Sequence, residues 1–299
     1  GTVPEEVGFD ITAPDQVVSA SFDLTTLGLV VGQKFRMTGW TDAADNGVFE
    51  VEAIAAGAIT TVETSLITED SSTAATTPIL TAKRIANSND LKSYVFEKRF
   101  TDVTEFVSLT GMRVGSMSMN VESQALVTGT FSYMGKEGVS AATTVSGIDQ
   151  TATIKTPLNA TTNVGVITEG GSALTTALRG ITFEVNNNLR VKPQIGSKSP
   201  TDIGYGFVDV TGTVTAYFED NVLYEKFINH TESSLSFRFQ DDTVGTDKNE
   251  MHFNFPRLYF SDGNPQAPSG NDDVILALEF TAVRDSTTGT VFFIDILAV

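Results

Sequence analysis

The chain has 299 residues, with 37 Asp and Glu against 19 Lys and Arg, a formal charge of −18, no Cys, two His and one Trp. Without Cys there is no disulfide framework, no thiolate nucleophile and no Cys-built zinc or iron–sulfur site, and two His leave little for a His-rich metal centre. The charge opposes sequence-independent binding to nucleic acid through its phosphates, and no stretch reaches the roughly 20 apolar residues of a membrane helix.

Thr (41), Val (30) and Phe (20) are abundant, and β-branched and aromatic residues at that density fit a pleated, half-buried surface. Residues 1–85 read as a small β unit. A segment over 22–31 leads into 32–40, and Asn46-Gly47 marks a hairpin turn into the strand at 48–51. Residues 70–78 are loop-like. This unit carries 12 acids and 4 bases, against 25 and 15 in residues 86–299. It is about twice as negative per residue, as a domain projecting into solvent would be, and residues 87–90 are the expected joint.

In the second unit, 93–100 places Tyr94, Phe96 and Phe100 on one face, broken only by Lys98. Residues 102–109 read as a short helix. Residues 136–177, rich in Thr, Ser, Gly and Ala, read as an extended arm ordered against a neighbouring subunit, since so long a loop is unusual inside a compact domain. Residues 207–218 are mostly β-branched or aromatic. In 234–239, Leu235, Phe237 and Phe239 alternate inward, the pattern of an antiparallel strand with one solvated face. The best helix runs over 220–230, capped by Asp220, with Leu223, Phe227, Tyr224 and Ile228 as its apolar stripe. The fold class is mainly β, a sandwich with one short helix plus a small β domain.

No motif carries catalysis. Asp42-Ala43-Ala44-Asp45-Asn46-Gly47 fails the calcium-loop spacing at Ala44 and at Ala53, so it reads as a hairpin turn. Asp241-Asp242 and Asp272-Asp273 read as solvated turns, because adjacent strand residues point to opposite faces. His230 closes the helix, where it suits the dipole. His252 alternates with aromatics and is expected to face away from the core. No nucleophile elbow accompanies either His, and Gly204-Tyr205-Gly206 lacks a nucleotide fingerprint. Asn159 and Asn229 match the glycosylation sequon, a chance pattern in a Thr-rich chain. The sequence is read as that of a non-enzyme with no catalytic, cofactor-binding or metal residue.

Several segments in order carry a resemblance. They are Ser93-Tyr94-Val95-Phe96-Glu97-Lys98, the turn at 106–111, Met117-Ser118-Met119-Asn120-Val121 with 126–136, Asn188-Leu189-Arg190, Ile195-Gly196-Ser197, Tyr217-Phe218-Glu219-Asp220, Leu223-Tyr224-Glu225-Lys226-Phe227 and Phe255-Pro256-Arg257. Through them residues 91–299 resemble the tail tube proteins of long-tailed, siphophage-type bacteriophages. Residues 10–85 are similar to an Ig-like insertion that decorates some tubes. Family members usually carry strands ahead of such an insertion, so a segment before Gly1 is expected.

The resemblance implies a tail-tube β-sandwich whose sheet joins those of five copies into a homohexameric ring with an inner β-barrel. Rings stack head-to-tail, with the 136–177 arm as candidate contact and the helix on the outer side of the sheet. The implied partners are other copies and tail proteins such as the tape measure, terminator and distal tail proteins. DNA passes without specific binding along a wall to which Asp209, Glu122 and Glu279 contribute. The implied location is the virion, after assembly in the host cytoplasm. The rival readings are a bacterial surface or adhesin protein of Ig-like modules and a carbohydrate-binding or hydrolytic β-sandwich domain. A missing secretion signal weighs against the first, and a single Trp, Trp40, read as core, against the second.

Overall fold

The computed structural model describes residues 9–20, 22–74, 77–88, 92–100, 102–145, 156–241, 248–266, 270 and 273–297. Strands β1 (Asp10–Thr12), β2 (Gln16–Val18), β3 (Lys34–Thr38), β4 (Gly47–Ala55), β5 (Ala58–Thr61) and β6 (Ile79–Thr81) form one antiparallel sheet in the order β1-β2-β5-β4-β3-β6. It closes on its own core, which includes Phe9, Phe35, Met37, Trp40, Phe49 and Val51. Phe9 meets Trp40 edge-on at 5.5 Å. The hairpin read at Asn46-Gly47 exists, with Met37 opposite Gly47, but its loop is longer than two residues. Asn46 has φ −102°, not the positive φ of a tight type I′ turn. Its side chain instead braces the loop, donating to the carbonyls of Trp40 and Asp42 at 2.9 and 2.7 Å.

The rest of the chain supplies β7 (Lys83–Ala86), β8 (Tyr94–Phe100), β9 (Glu105–Glu122), β10 (Thr128–Met134), β11 (Glu137–Ala141), β12 (Thr168–Glu169), β13 (Ser172–Ala173), β14 (Leu178–Asn186), the separate hairpin β15 (Arg190–Lys192) and β16 (Asp202–Gly204), β17 (Asp209–Tyr217), helix α1 (Val222–Ile228), β18 (Ser233–Gln240), β19 (Glu250–Gln266), β20 (Ile275–Ala282) and β21 (Phe293–Leu297). Thirteen of these strands make one antiparallel sheet with the path β10-β9-β14-β17-β20-β19-β18-β12-β13.

Two long strands shape this sheet. The C-terminal part of β19 pairs with β20 and its N-terminal part with β18 and β21, with a register shift between Phe260 and Asp262. A bulge bends a strand and steepens its twist, and the sheet doubles back into two layers. Phe183 of the first layer is ringed by Phe237, Phe253 and Phe255 of the second and by Phe292, at 5.2–6.2 Å. Each such side chain contributes about 1.5–3 kcal/mol by leaving water. Leu223 of α1 joins this core, so the helix packs on the core side of the sheet.

The second long strand, β9, pairs with β10 and β14 along its C-terminal half and with β8 and β11 along its N-terminal half. Its N-terminal half and those two partners form a three-stranded ribbon that runs past the end of β14. The helix expected at 102–109 is not there. Phe100 pairs with Glu105, and Thr104 takes φ 54° in the turn between them. β-Branched Val107 and Thr110 are then held by a strand on each side. Within 136–177, β11 lies along β9, residues 146–155 fall outside the described residues, and 156–177 packs back on the core. Val127 N–H donates to Leu158, Gly165 N–H donates to Arg238, and Asn163 is fully buried.

The first unit is bolted to the second layer. β7 pairs with β21, and Arg84 holds the buried Asp295 with Nε–Oδ1 2.6 Å and Nη2–Oδ2 2.8 Å. Asp295 also accepts the Lys34 N–H at 3.0 Å. Arg84 further donates to the Gly32 carbonyl and lies 3.7 Å over the Phe293 ring.

Candidate functional site

The C-terminal part of β9, β14 from Gly180 on, β17 and β20 alternate. Val121, Ile181, Phe183, Val210, Val214, Leu278 and Phe280 point into the core. The residues between them build the opposite face, where Glu122, Glu184, Asp209 and Glu279 stand among Ser118, Asn120, Thr182, Thr211, Thr213, Thr215 and Thr281. Segments 116–122, 180–186, 209–217 and 275–282 hold no Lys or Arg; Arg113, paired with Asp202 at 3.1 Å, and the exposed Arg179 stand on β9 and β14 beyond them, toward opposite ends of the sheet. Register brings the acids into one field: Glu184 is opposite Ser118 and Thr211, Thr213 is opposite Glu279, and Asp209 is opposite Asn186. Asn188 donates to Asp209 at 2.6 Å and Asn120 to Glu122 at 3.1 Å. A shallow depression of about 380 Å³ crosses the face between Thr130, Asn120, Glu184 and Thr211.

The three acids read from the sequence, Asp209, Glu122 and Glu279, therefore share one surface. Glu184 was missed, although its alternation with Phe183 and Val185 is a usable signal. At Gly212 the neighbouring strands leave no room for a side chain. A Cβ there would lie 2.5 Å from the Thr182 carbonyl oxygen and 2.5 Å from the Phe280 ring, a close approach that only glycine permits.

At the rim, β10 has no strand partner on its outer side among the described residues, leaving a row of backbone donors and acceptors that can template another strand. On its core side, the exposed rings of Phe131, Tyr133 and Tyr94 line up with Phe96, with Phe96–Tyr133 edge-on at 4.6 Å. The second layer stops short of this strip.

The other sequence candidates have structural roles. His252 does not face solvent; it is 8% exposed. The outer face of the second layer is covered by the first unit, so the alternation that turned His252 away from one core turned it into a buried seam. Its Nε2 lies 2.7 Å from Glu250, which also faces Arg36 and Arg238 at 3.5 Å. Burial pushes the Glu250 carboxyl up, but the His252 hydrogen bond and the two guanidinium charges outweigh it, and the carboxyl sits below the usual range. His230 lies past the end of α1 with φ 49° and donates its N–H to Phe227, a helix-terminating conformation more usual for glycine.

Asp42 caps a short 3-10 turn over Ala43–Asp45, and Asp45 accepts the Ile67 N–H at 2.8 Å. Its second oxygen is buried without a partner, and burial holds its carboxyl above the usual range. Asp241 is tied to Asn249, at 2.6 Å from Nδ2, and Asp273 is exposed. Asp242 and Asp272 lie outside the described residues. Among the described residues no group of three or more His, Asp and Glu is placed to hold a metal ion, and no helix is long and apolar enough to cross a membrane.

A two-layer antiparallel fold with a polar, acid-bearing sheet face, an open edge strand and an uncovered aromatic strip is that of a β-structural protein. The chain belongs to the phage tail tube protein family, whose sequence profile matches residues 8–282. The match takes in the first unit as well as the two-layer region, and membership makes the protein a virion component that assembles with itself and with other tail proteins. No curated protein matches the chain.

Proposed function

We propose that six copies of the chain join edge to edge into a ring, that the rings stack into the tail tube of a siphophage-type virion, and that genomic DNA travels through the lumen. The observation that carries this reading is the middle of the β9-β14-β17-β20 face, where four acids stand among hydroxyl groups and the bases, Arg113 and Arg179, lie toward the ends. Turned to the lumen, it offers DNA few cations for counterion release and repels its phosphates. Barrel closure would satisfy the open β10 edge, and a neighbour's surface would cover the Phe131–Tyr133 strip. The first unit, with its own core and a seat on the second layer, sits on the side away from that face and is read as the projecting domain. Assembly takes place in the host cytoplasm, and tape measure, terminator and distal tail proteins meet the tube.

Negative-stain microscopy of the purified chain tests this. Hollow rings or tubes with a lumen lined by Glu122, Glu184, Asp209 and Glu279 are expected. A persistent monomer, or a lumen lined mainly by Lys and Arg, overturns it.

A further inference from the structure

The two ends of the polar sheet differ in charge. At one end lie the β8-β9-β11 ribbon and the β15–β16 hairpin, held together as Arg113 donates to the Ile203 carbonyl, Lys136 donates to the Thr201 carbonyl, and Tyr205 donates to the Lys92 carbonyl. Their segments, 92–115, 134–145 and 187–208, hold eight Lys and Arg against five Asp and Glu, net +3 in a chain of −18. Arg190, Lys192 and Lys198 are exposed there. So are two apolar tips, Ile195 and Phe207, the latter 92% accessible.

At the other end, register gathers the C-termini of β9 and β17 and the N-termini of β14 and β20. Segments 121–127, 177–179, 217–226, 264–266 and 273–276 hold five acids against Arg179 and Lys226, net −3. Lys226 is already committed to the buried Glu169, at 2.5 and 2.6 Å. Glu219, Asp220 and Asp273 are exposed, beside the accessible apolar side chains Leu126, Val222 and Val274.

We infer that these ends are complementary halves of one heterologous contact: the basic end of one copy seats on the acidic end of a second, with Ile195 and Phe207 as its apolar anchors. A contact between different surfaces does not close on itself and so propagates a filament. Opposite charge steers its register and makes it salt-sensitive. The inference rests on the tube reading above and adds which surfaces stack and by what force.

The test is a charge swap. Arg190→Glu with Lys192→Glu and Lys198→Glu, or Glu219→Lys with Asp220→Lys and Asp273→Lys, is expected to weaken end-to-end association at least about tenfold, read as tube length by microscopy and as sedimentation. Both sets together restore tubes, because each end then meets its inverted partner, and the restored chain also answers the objection that either triple variant misfolds. Wild-type tubes shorten as salt rises from about 0.05 M to about 1 M. Tubes indifferent to reversal and to salt, or a double swap that fails to restore them, overturn the inference and leave the tube reading standing. A wild-type chain that stays monomeric at every salt concentration overturns the tube reading itself.

Discussion

Arg84 is nearly encased, and its partner Asp295 is fully buried. A charge taken out of water is tolerated only when paired, and removing one partner costs about 3–5 kcal/mol. Asp295→Ala is therefore expected to lower unfolding stability by that order in denaturant titration. The paired change Arg84→Met with Asp295→Leu recovers most of it, since no charge is left uncompensated. Asp45 works in the opposite sense. Its folded pKa is raised by burial, so the penalty for its charge is present above the ordinary carboxylate pKa and fades as pH falls through the raised value. Asp45→Asn should stabilise the protein at pH 7, with a gain that shrinks on acidification; thermal melts at two pH values check it. Glu250 has the reverse sign. Its stabilisation is present above about pH 4.3, the ordinary Glu value, and is lost as pH falls through its lowered pKa.

Alternation makes β14, β17 and β20 readable, since one face is apolar and the other is mostly Thr and acid. The same rule failed at 102–109, where a turn followed by strand residues resembled a helical stripe until the neighbouring strands β8 and β11 satisfied its backbone. At His252 it gave the right face, away from the large core, but alternation does not say what covers that face. Gly212 is the element-scale weak point. Gly212→Ala forces a Cβ against the Thr182 carbonyl oxygen, and backbone cannot yield as a flexible side chain can. Overpacking costs about 1–3 kcal/mol, and the expected result is a lower melting temperature together with poorer ring formation.

Across the whole molecule the polar face, the open edge and the aromatic strip act together. Phe131→Ser with Tyr133→Ser touches accessible rings, so melting should change by no more than about 1 kcal/mol, while ring formation seen by microscopy is lost. Glu184→Lys with Glu279→Lys leaves the core untouched and places bases on the proposed lumen wall. Tubes of this variant should retain DNA in co-sedimentation at low salt, whereas wild-type tubes release it. Equal DNA retention by the two would show that the face does not line the passage.

By itself the sequence determined the mainly β class, a helix within 220–230, the lack of Cys chemistry and the resemblance over 91–299, because periodicity and composition are local properties. It also named three of the four acids on the polar face. Only the tertiary structure decided that these acids share one surface, that Glu184 joins them, and that His252 lies in a buried seam. It also decided that the first unit is tied to the second by Arg84 and Asp295. Those outcomes depend on strand register and on pairings more than two hundred residues apart, such as Arg84 with Asp295, and no local pattern in a chain encodes which distant strand it will meet.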